Sequence, residues 1–445
     1  MNFNMVRNWV GQTNDEAFYA ACDRYGVMVW DDFWLANPVD GPDPLDVDMF
    51  MANAEDKIRK VRNHPSVVLY CARNEGAPVE PLAHLLPALV EKMNPQRLYI
   101  PHSAEGIVSG YGPYRALEKD FYFTHTGKTL HSERGVPNIP VLESVQKFLY
   151  PEHQWPICDT WVTHAFIYNG AQHCGEFCER LQNLYGAYDS LEEFVRKSQL
   201  LCYETYKAIF EAERAVDGGG MILWMSSPAM PSFAFQTYDY YYAVNAGYMG
   251  AKLANQPLYA YHNPITKKIV LDNRSGNTVE RISLLCQMFD MQGKLLWEKN
   301  VSVENCEVGQ YDIAVLENYD NTVFLRTVVC AGEKCYRNFE WIYPNRNGTV
   351  GLETLQTAKI AVSMKGNTIT IQNISDVPAL QISLALWNTQ TDERVLPVFW
   401  SDNFISLMPG EAQVVEYETY DVIDNDNTAC CVSGFNVDKF VIGMS

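Results

Sequence analysis

The stretch His64-Pro65-Ser66-Val67-Val68-Leu69-Tyr70-Cys71-Ala72-Arg73-Asn74-Glu75-Gly76 joins a helix stop, a buried strand and a polar turn. Pro65 ends the helical spacing before it, because the residue preceding a proline is steered out of the helical region. The unbroken apolar run from Val67 to Cys71 is the pattern of a strand covered on both faces, as strands of parallel sheets are. Asn74 and Glu75 then stand just past its C-terminal end, the edge of a parallel sheet where catalytic groups gather.

Outward from this stretch the pattern repeats. Residues 4–10 and 27–30 read as strands, the second running into Asp31 and Asp32. Residues 15–25 read as a helix stopped by Gly26, and Val47, Met51, Ala54, Ile58 and Val61 recur at helical spacing. Further helices are expected over 82–93, 172–185 and 190–214, with strands at 98–100, at 221–225 and one ending on His131-Ser132-Glu133. Strand and helix in alternation imply a parallel sheet with crossovers. A doubly wound sheet would carry a glycine-rich phosphate loop, but Gly218-Gly219-Gly220 precedes a strand instead of opening a helix. Polar residues at successive strand ends favour a (β/α)8 TIM-type barrel. After about residue 255 only strands and turns remain, as in 268–271, 322–325, 360–362, 368–371 and 380–384. The expected fold class is α/β plus all-β: a barrel over 1–254, then two immunoglobulin-like β-sandwiches over 255–350 and 351–445.

The 445 residues, 47% apolar and 20% charged, describe a globular multidomain chain. A net charge of −20 argues against nucleic acid and anionic membrane as partners. There is no apolar run long enough for a transmembrane helix, and residues 1–30 lack the pattern of a signal peptide. Of the twelve cysteines, Cys174 and Cys178 beside His173 lack a second ligand pair and read as helix thiols, so no metal site is expected. Cys330 and Cys335 are spaced to close a hairpin in an oxidising compartment. Asp421, Asp424 and Asp426 read as a solvated turn.

Two carboxylates stand out, Glu75 and Glu133, each at the end of an expected strand. Retaining glycoside hydrolysis needs two carboxyls about 5–5.5 Å apart across one bond, one protonated to release the leaving oxygen and one ionised to attack the anomeric carbon. The ends of two strands in one barrel can supply that spacing. If the pair is catalytic, the two carboxyls should converge within about 6 Å.

These residues also carry a resemblance. Asn74-Glu75 after the His-Pro-Ser strand resembles the acid/base motif of glycoside hydrolase family 2, and Ser132-Glu133-Arg134-Gly135 resembles its nucleophile motif. Asn4 to Trp9, Gly26 to Phe33, Gly219 to Trp224 and Tyr238-Asp239-Tyr240-Tyr241 with Tyr248 are similar to other parts of that family's barrel, in the branch of exo-β-glucosaminidases and β-mannosidases. The resemblance spans residues 2–260. It implies Glu75 as acid/base, Glu133 as nucleophile and Asn74 as partner of the sugar's 2-substituent. Arg7 would keep the nucleophile ionised, Trp224 would offer a face to the sugar ring, and Asp32 would meet a sugar hydroxyl or amine. It implies an oligosaccharide or glycan substrate and no cofactor.

The chain departs from the family in two places. Ser226 to Ser232 lacks the usual acidic and aromatic positions and has Met230 instead, while Arg73 and Arg134 raise the alternative of an acidic sugar. The chain also opens on what resembles the second barrel strand. The expectation is an N-terminally truncated barrel lacking its first βα unit, completed by a separate N-terminal half or a homo-oligomer. A periplasmic or extracellular location would follow for the full-length parent. The rival reading is a catalytically incompetent fragment acting as a carbohydrate-binding or structural module. His64 reads as structural, His131 as support or substrate contact, Trp155 and Trp161 as pocket or core, and Tyr238 to Tyr242 as core.

Overall fold

A computed structural model describes residues 1–12, 14–169, 172–344, 348–420 and 427–443. Asp421, Asp424 and Asp426 lie outside the described residues. Seven parallel strands build the first part. In one sheet, in order, lie β1 (Met5–Asn8), β2 (Met28–Leu35), β3 (Val67–Arg73) and β4 (Leu98–His102); in another lie β5 (Val108–Ser109), β6 (Leu130–Arg134) and β7 (Met221–Leu223). Each strand contributes to one small inner core, through Met5, Trp30, Leu69, Cys71, Ile100, Val108, Leu130 and Ile222. The two-residue period of a strand turns Val29, Phe33, Tyr70 and Ala72 the other way, onto an outer shell with the helices. Among the described residues seven strands, and no eighth, line this inner core.

The helices follow their local signals. Asp15 caps α1 (Glu16–Tyr25) by accepting from the Phe18 N–H at 3.0 Å, and Gly26 ends it in the left-handed region. Asp46 caps α2 (Val47–Val61), whose Phe50, Ala54, Ile58 and Val61 are buried. Then come α3 (Leu82–Met93), α4 (Lys119–His125), α5 (Leu142–Phe148), α6 (Asp159–Thr163), α7 (Cys174–Tyr185), α8 (Leu191–Val216) and α9 (Ala246–Ala254). The sequence reading has no counterpart for α9. It lies so close to α8 that a Cβ on Gly250 would stand 2.2 Å from the Tyr203 carbonyl oxygen.

From Leu258 onward the strands are antiparallel. A four-stranded sheet (295–306, 279–289, 323–331, 334–342) and a three-stranded one (309–315, 268–273, 258–263) form the first sandwich. Strands from Ile360 to Gly443 form two further sheets. One buried apolar cluster runs from α8 and α9 through Trp341 to Trp400, so the parts share a core.

Trp161 is fully buried and stacks on Phe233 at 4.5 Å, and Trp155 packs on Tyr188 and Phe194, so both are core. Tyr240 and Tyr242 are exposed, against the core reading of that run. Burial pushes the Cys174 and Cys178 thiols up to about 12 and about 11, both pack in the main apolar cluster, and His173 faces Glu176. Cys330 and Cys335 face each other across a hairpin and are joined by a disulfide. No described helix is long and apolar enough to cross a membrane.

Candidate active site

Arg7 on β1 organises the strand ends. Its guanidinium is 4% exposed and donates through Nη2 to Asp32 Oδ2 at 2.6 Å and to Asn74 Oδ1 at 2.8 Å, and through Nη1 to Glu133 Oε1 at 3.1 Å. Strands β1, β2 and β6 and the turn after β3 thus meet at one cation. Burial alone would lower the Arg7 pKa, but Asp32 and Glu133 outweigh it and the net direction is upward.

Asp32 is fully buried and accepts from Arg7 Nε, from the Trp30 indole at 2.7 Å and from the Val10 N–H at 3.0 Å. These donors make it the anchor of Arg7, so the expectation that it faces a sugar is corrected: its oxygens are already engaged. Asn74 Oδ1 also accepts from Ser103 Oγ at 3.0 Å. With that oxygen engaged twice, the amide Nδ2 is the group left to meet a ligand.

Glu133 on β6 is 2% exposed, whereas Glu75 is half-buried and holds a positive φ of 45°. That backbone region costs a non-glycine residue about 1–3 kcal/mol and concentrates at functional sites. The Tyr114 hydroxyl reaches both carboxyls, Glu133 Oε2 at 2.9 Å and Glu75 Oε1 at 3.2 Å. Those two oxygens are therefore no further apart than the two bonds laid end to end, at most about 6 Å. Burial pushes Glu133 above the ordinary carboxylate range; Arg7 opposes this, the Glu75 charge adds to it and Tyr114 opposes it. Arg7 therefore favours ionised Glu133 without fully offsetting its burial.

Trp224 follows β7, and its N–H is held by the Arg134 carbonyl at 2.8 Å. It packs against Tyr114 at 4.5 Å and Phe235 at 4.7 Å. Phe235 comes this close because residue 135 is glycine: a Cβ there would lie 3.1 Å from its ring. His131 donates from Nε2 to the Gly112 carbonyl at 2.7 Å and accepts at Nδ1 from Ser109 at 2.8 Å. Burial and Arg134 lower it to about 4, which keeps it neutral and makes it a support for the Tyr114 loop.

The acidic-sugar alternative loses its basis. Arg73 is bound to Asp43 at 2.8 Å and to the Ala36 carbonyl, and Arg134 to Thr126 and the His125 carbonyl. His64 is structural, held between Asp23 and Glu16 and stacked on Tyr19. Sequence reasoning missed Tyr114, Ser103 and Phe235. Ser103 was findable, since it is one more polar residue just past a strand. Tyr114 sits in Gly110-Tyr111-Gly112-Pro113-Tyr114, a turn composition that gives no sign of chemistry.

Residues 338–437 match the family model described as the exo-β-D-glucosaminidase Ig-fold domain. Over 99% of this chain the sequence is 25% identical to an exo-β-D-glucosaminidase of Arthroderma benhamiae, of which it covers 57%. Over 66% of the chain it is 26% identical to a mannosylglycoprotein endo-β-mannosidase of Lilium longiflorum. Among solved structures, the exo-chitosanase of Amycolatopsis orientalis superposes with a TM-score of 0.85 at 20% identity, over 99% of this chain and 60% of that one. A β-D-mannosidase from Dictyoglomus thermophilum superposes at 0.82 and 21%, over 98% and 56%. The chain thus spans a little over half the length of the exo-β-D-glucosaminidase it matches.

Proposed function

We propose that this chain, a relative of the exo-β-D-glucosaminidases and β-mannosidases of glycoside hydrolase family 2, carries the active site of a retaining β-glycosidase acting from a non-reducing end. The observation that carries the reading is the single Tyr114 hydroxyl in reach of both Glu75 and Glu133. A hydroxyl has one hydrogen to donate. It therefore serves both carboxyls best when one is ionised and the other protonated. That is the charge state a retaining pair needs before the first step.

Glu133, held by Arg7 beneath the sugar, attacks the anomeric carbon. Glu75, nearer solvent, gives its proton to the leaving oxygen. The glycosyl bond to Glu133 is then broken by a water that Glu75, now ionised, deprotonates. Once Glu75 is protonated its charge no longer opposes ionisation of Glu133. Asn74 Nδ2 meets the 2-substituent, and Trp224 lies under the ring. The substrate is an oligosaccharide or glycan, and no step calls on a cofactor.

The test is hydrolysis of aryl β-mannosides, β-glucosaminides and β-galactosides by the chain, with Glu75→Ala and Glu133→Ala beside it. Both variants should lose activity, and azide should restore Glu75→Ala with a β-glycosyl azide as product. A reducing-end-labelled oligosaccharide should release monosaccharide first; an internal cut would replace exo action with endo action. A folded wild type inert on every glycoside would return the reading to a binding module.

A further inference from the structure

The turn from Gly110 to Tyr114 presents two tyrosines in opposite senses. Gly110 is pressed onto the site floor: a Cβ there would lie 2.9 Å from Ala104 Cα and 3.0 Å from both Ser103 O and Ser132 Oγ. Gly112 is tied down by His131 through its carbonyl. Tyr114 points in, across the two carboxyls. Tyr111 stands between these anchors with φ 64° and points out, 55% exposed. A bulky residue rarely enters the left-handed region. Here the strain gives the core nothing, since the ring it positions lies in solvent, and strain kept at a rim without a packing return marks a ligand contact.

The ring is also on the correct side for one particular contact. Ser103, on which Gly110 rests, accepts the Glu75 N–H at 3.1 Å and donates to Asn74. A group that protonates the glycosidic oxygen faces the departing sugar, and the turn that rests on Ser103 next to the Glu75 backbone carries its exposed ring at the same rim. The C–H face of a pyranose packs on an aromatic face.

We propose that Tyr111 is the platform for the leaving sugar, carrying the saccharide unit on the far side of the scissile bond. This rests on the glycosidase reading above.

The test compares wild type, Tyr111→Ala and Tyr111→Phe on substrates with and without a leaving sugar: the β-1,4-linked trisaccharides of glucosamine and of mannose, and the corresponding glycosyl fluorides. The kcat/KM loss in Tyr111→Ala on the trisaccharide should exceed the loss on the fluoride by about tenfold, and Tyr111→Phe should recover it, because the ring and not the hydroxyl is the platform. Equal losses on both substrates would overturn the proposal. Binding separates this from failure of the glycosidase reading. In a Glu133→Gln background, Tyr111→Ala should weaken trisaccharide binding about tenfold by calorimetry even if the wild type turns nothing over. Unchanged affinity, or no trisaccharide binding by Glu133→Gln itself, would overturn it.

Discussion

Two regions of the molecule bury charge, and they balance it differently. Where α4 and α8 meet the first sandwich, Lys119 lies between Glu211 at 2.6 Å and Glu340 at 2.5 Å. Beside them Arg214 meets Asp272 at 2.8 Å, and Arg274 spans Asp272 and Glu213. Each of these four carboxylates has a cation, although Glu204 of α8 nearby is held instead by the phenols of Tyr185 and Tyr343. At the strand-end rim Arg7 alone faces Asp32 and Glu133, while Glu75 meets a phenol and, among the described residues, no cation. Matched charges hold two bodies in register. An unmatched carboxyl pair keeps a proton in play, which acid/base chemistry requires.

The comparison predicts opposite outcomes. Glu133→Gln should lower glycosidase turnover by about 10⁴–10⁶-fold. Its thermal midpoint at neutral pH should be at or above the wild type's, because the buried carboxylate it removes is disfavoured in the fold. Lys119→Met should do the reverse. It leaves Glu211 and Glu340 buried without their shared cation, at a cost of about 3–5 kcal/mol in denaturant unfolding. Turnover per folded molecule should be retained. If Lys119→Met abolished turnover in folded protein, the division between joint and rim would fail.

Titration sharpens the contrast because Glu340 of the joint and Glu133 of the rim shift in opposite directions. Glu340 is held below its ordinary 4.5: burial opposes this, but Lys119 and His262 outweigh it. Its contribution to stability is present above 4.5 and is lost as pH falls through the folded value. Glu133 is raised above 4.5, mainly by burial. Its contribution is present below 4.5 and is lost as pH rises through the folded value. Denaturation midpoints followed from pH 3 to pH 8 should therefore show Glu133→Gln gaining on the wild type above about pH 4.5. Glu340→Gln should instead flatten the acid side. Parallel curves for the two variants would mean that the rim is as well matched as the joint.

The two regions were unequally legible in the sequence. The rim could be read because the β-strand period and strand-end polarity fix which side chains share one edge. Arg7, Asn74, Glu75 and Glu133, spread over two strands and the turn after β3, are brought together by Arg7 and Tyr114 as that rule requires. The rule places a residue at the edge but does not say whether its atoms are free, which is why Asp32 was misread: its partners Val10 and Trp30 carry no pattern. The joint was not legible at all. Lys119, Glu211 and Glu340 lie far apart in sequence, and each taken alone reads as a solvated surface charge. α9 was hidden for a related reason, since Gly247 and Gly250 lower helix propensity and only their close approach to Tyr206 and Tyr203 of α8 explains them.

The smallest effect tests whether charge without burial does anything. Arg59 on the outer face of α2 meets Glu55 at 2.7 Å, one helical turn away, with its side chain 58% exposed. Water screens such a pair, and holding two long side chains in one geometry offsets most of the Coulomb gain. Arg59→Ala should therefore change unfolding free energy by no more than about 0.5 kcal/mol and turnover not at all. Its N···O distance is close to that of Lys119 with Glu211, so geometry is nearly constant between the two tests and burial is what differs. A loss in Arg59→Ala approaching that of Lys119→Met would mean that pairing distance, not desolvation, sets the strength of these contacts, and the distinction drawn between joint and rim would then lose its physical basis.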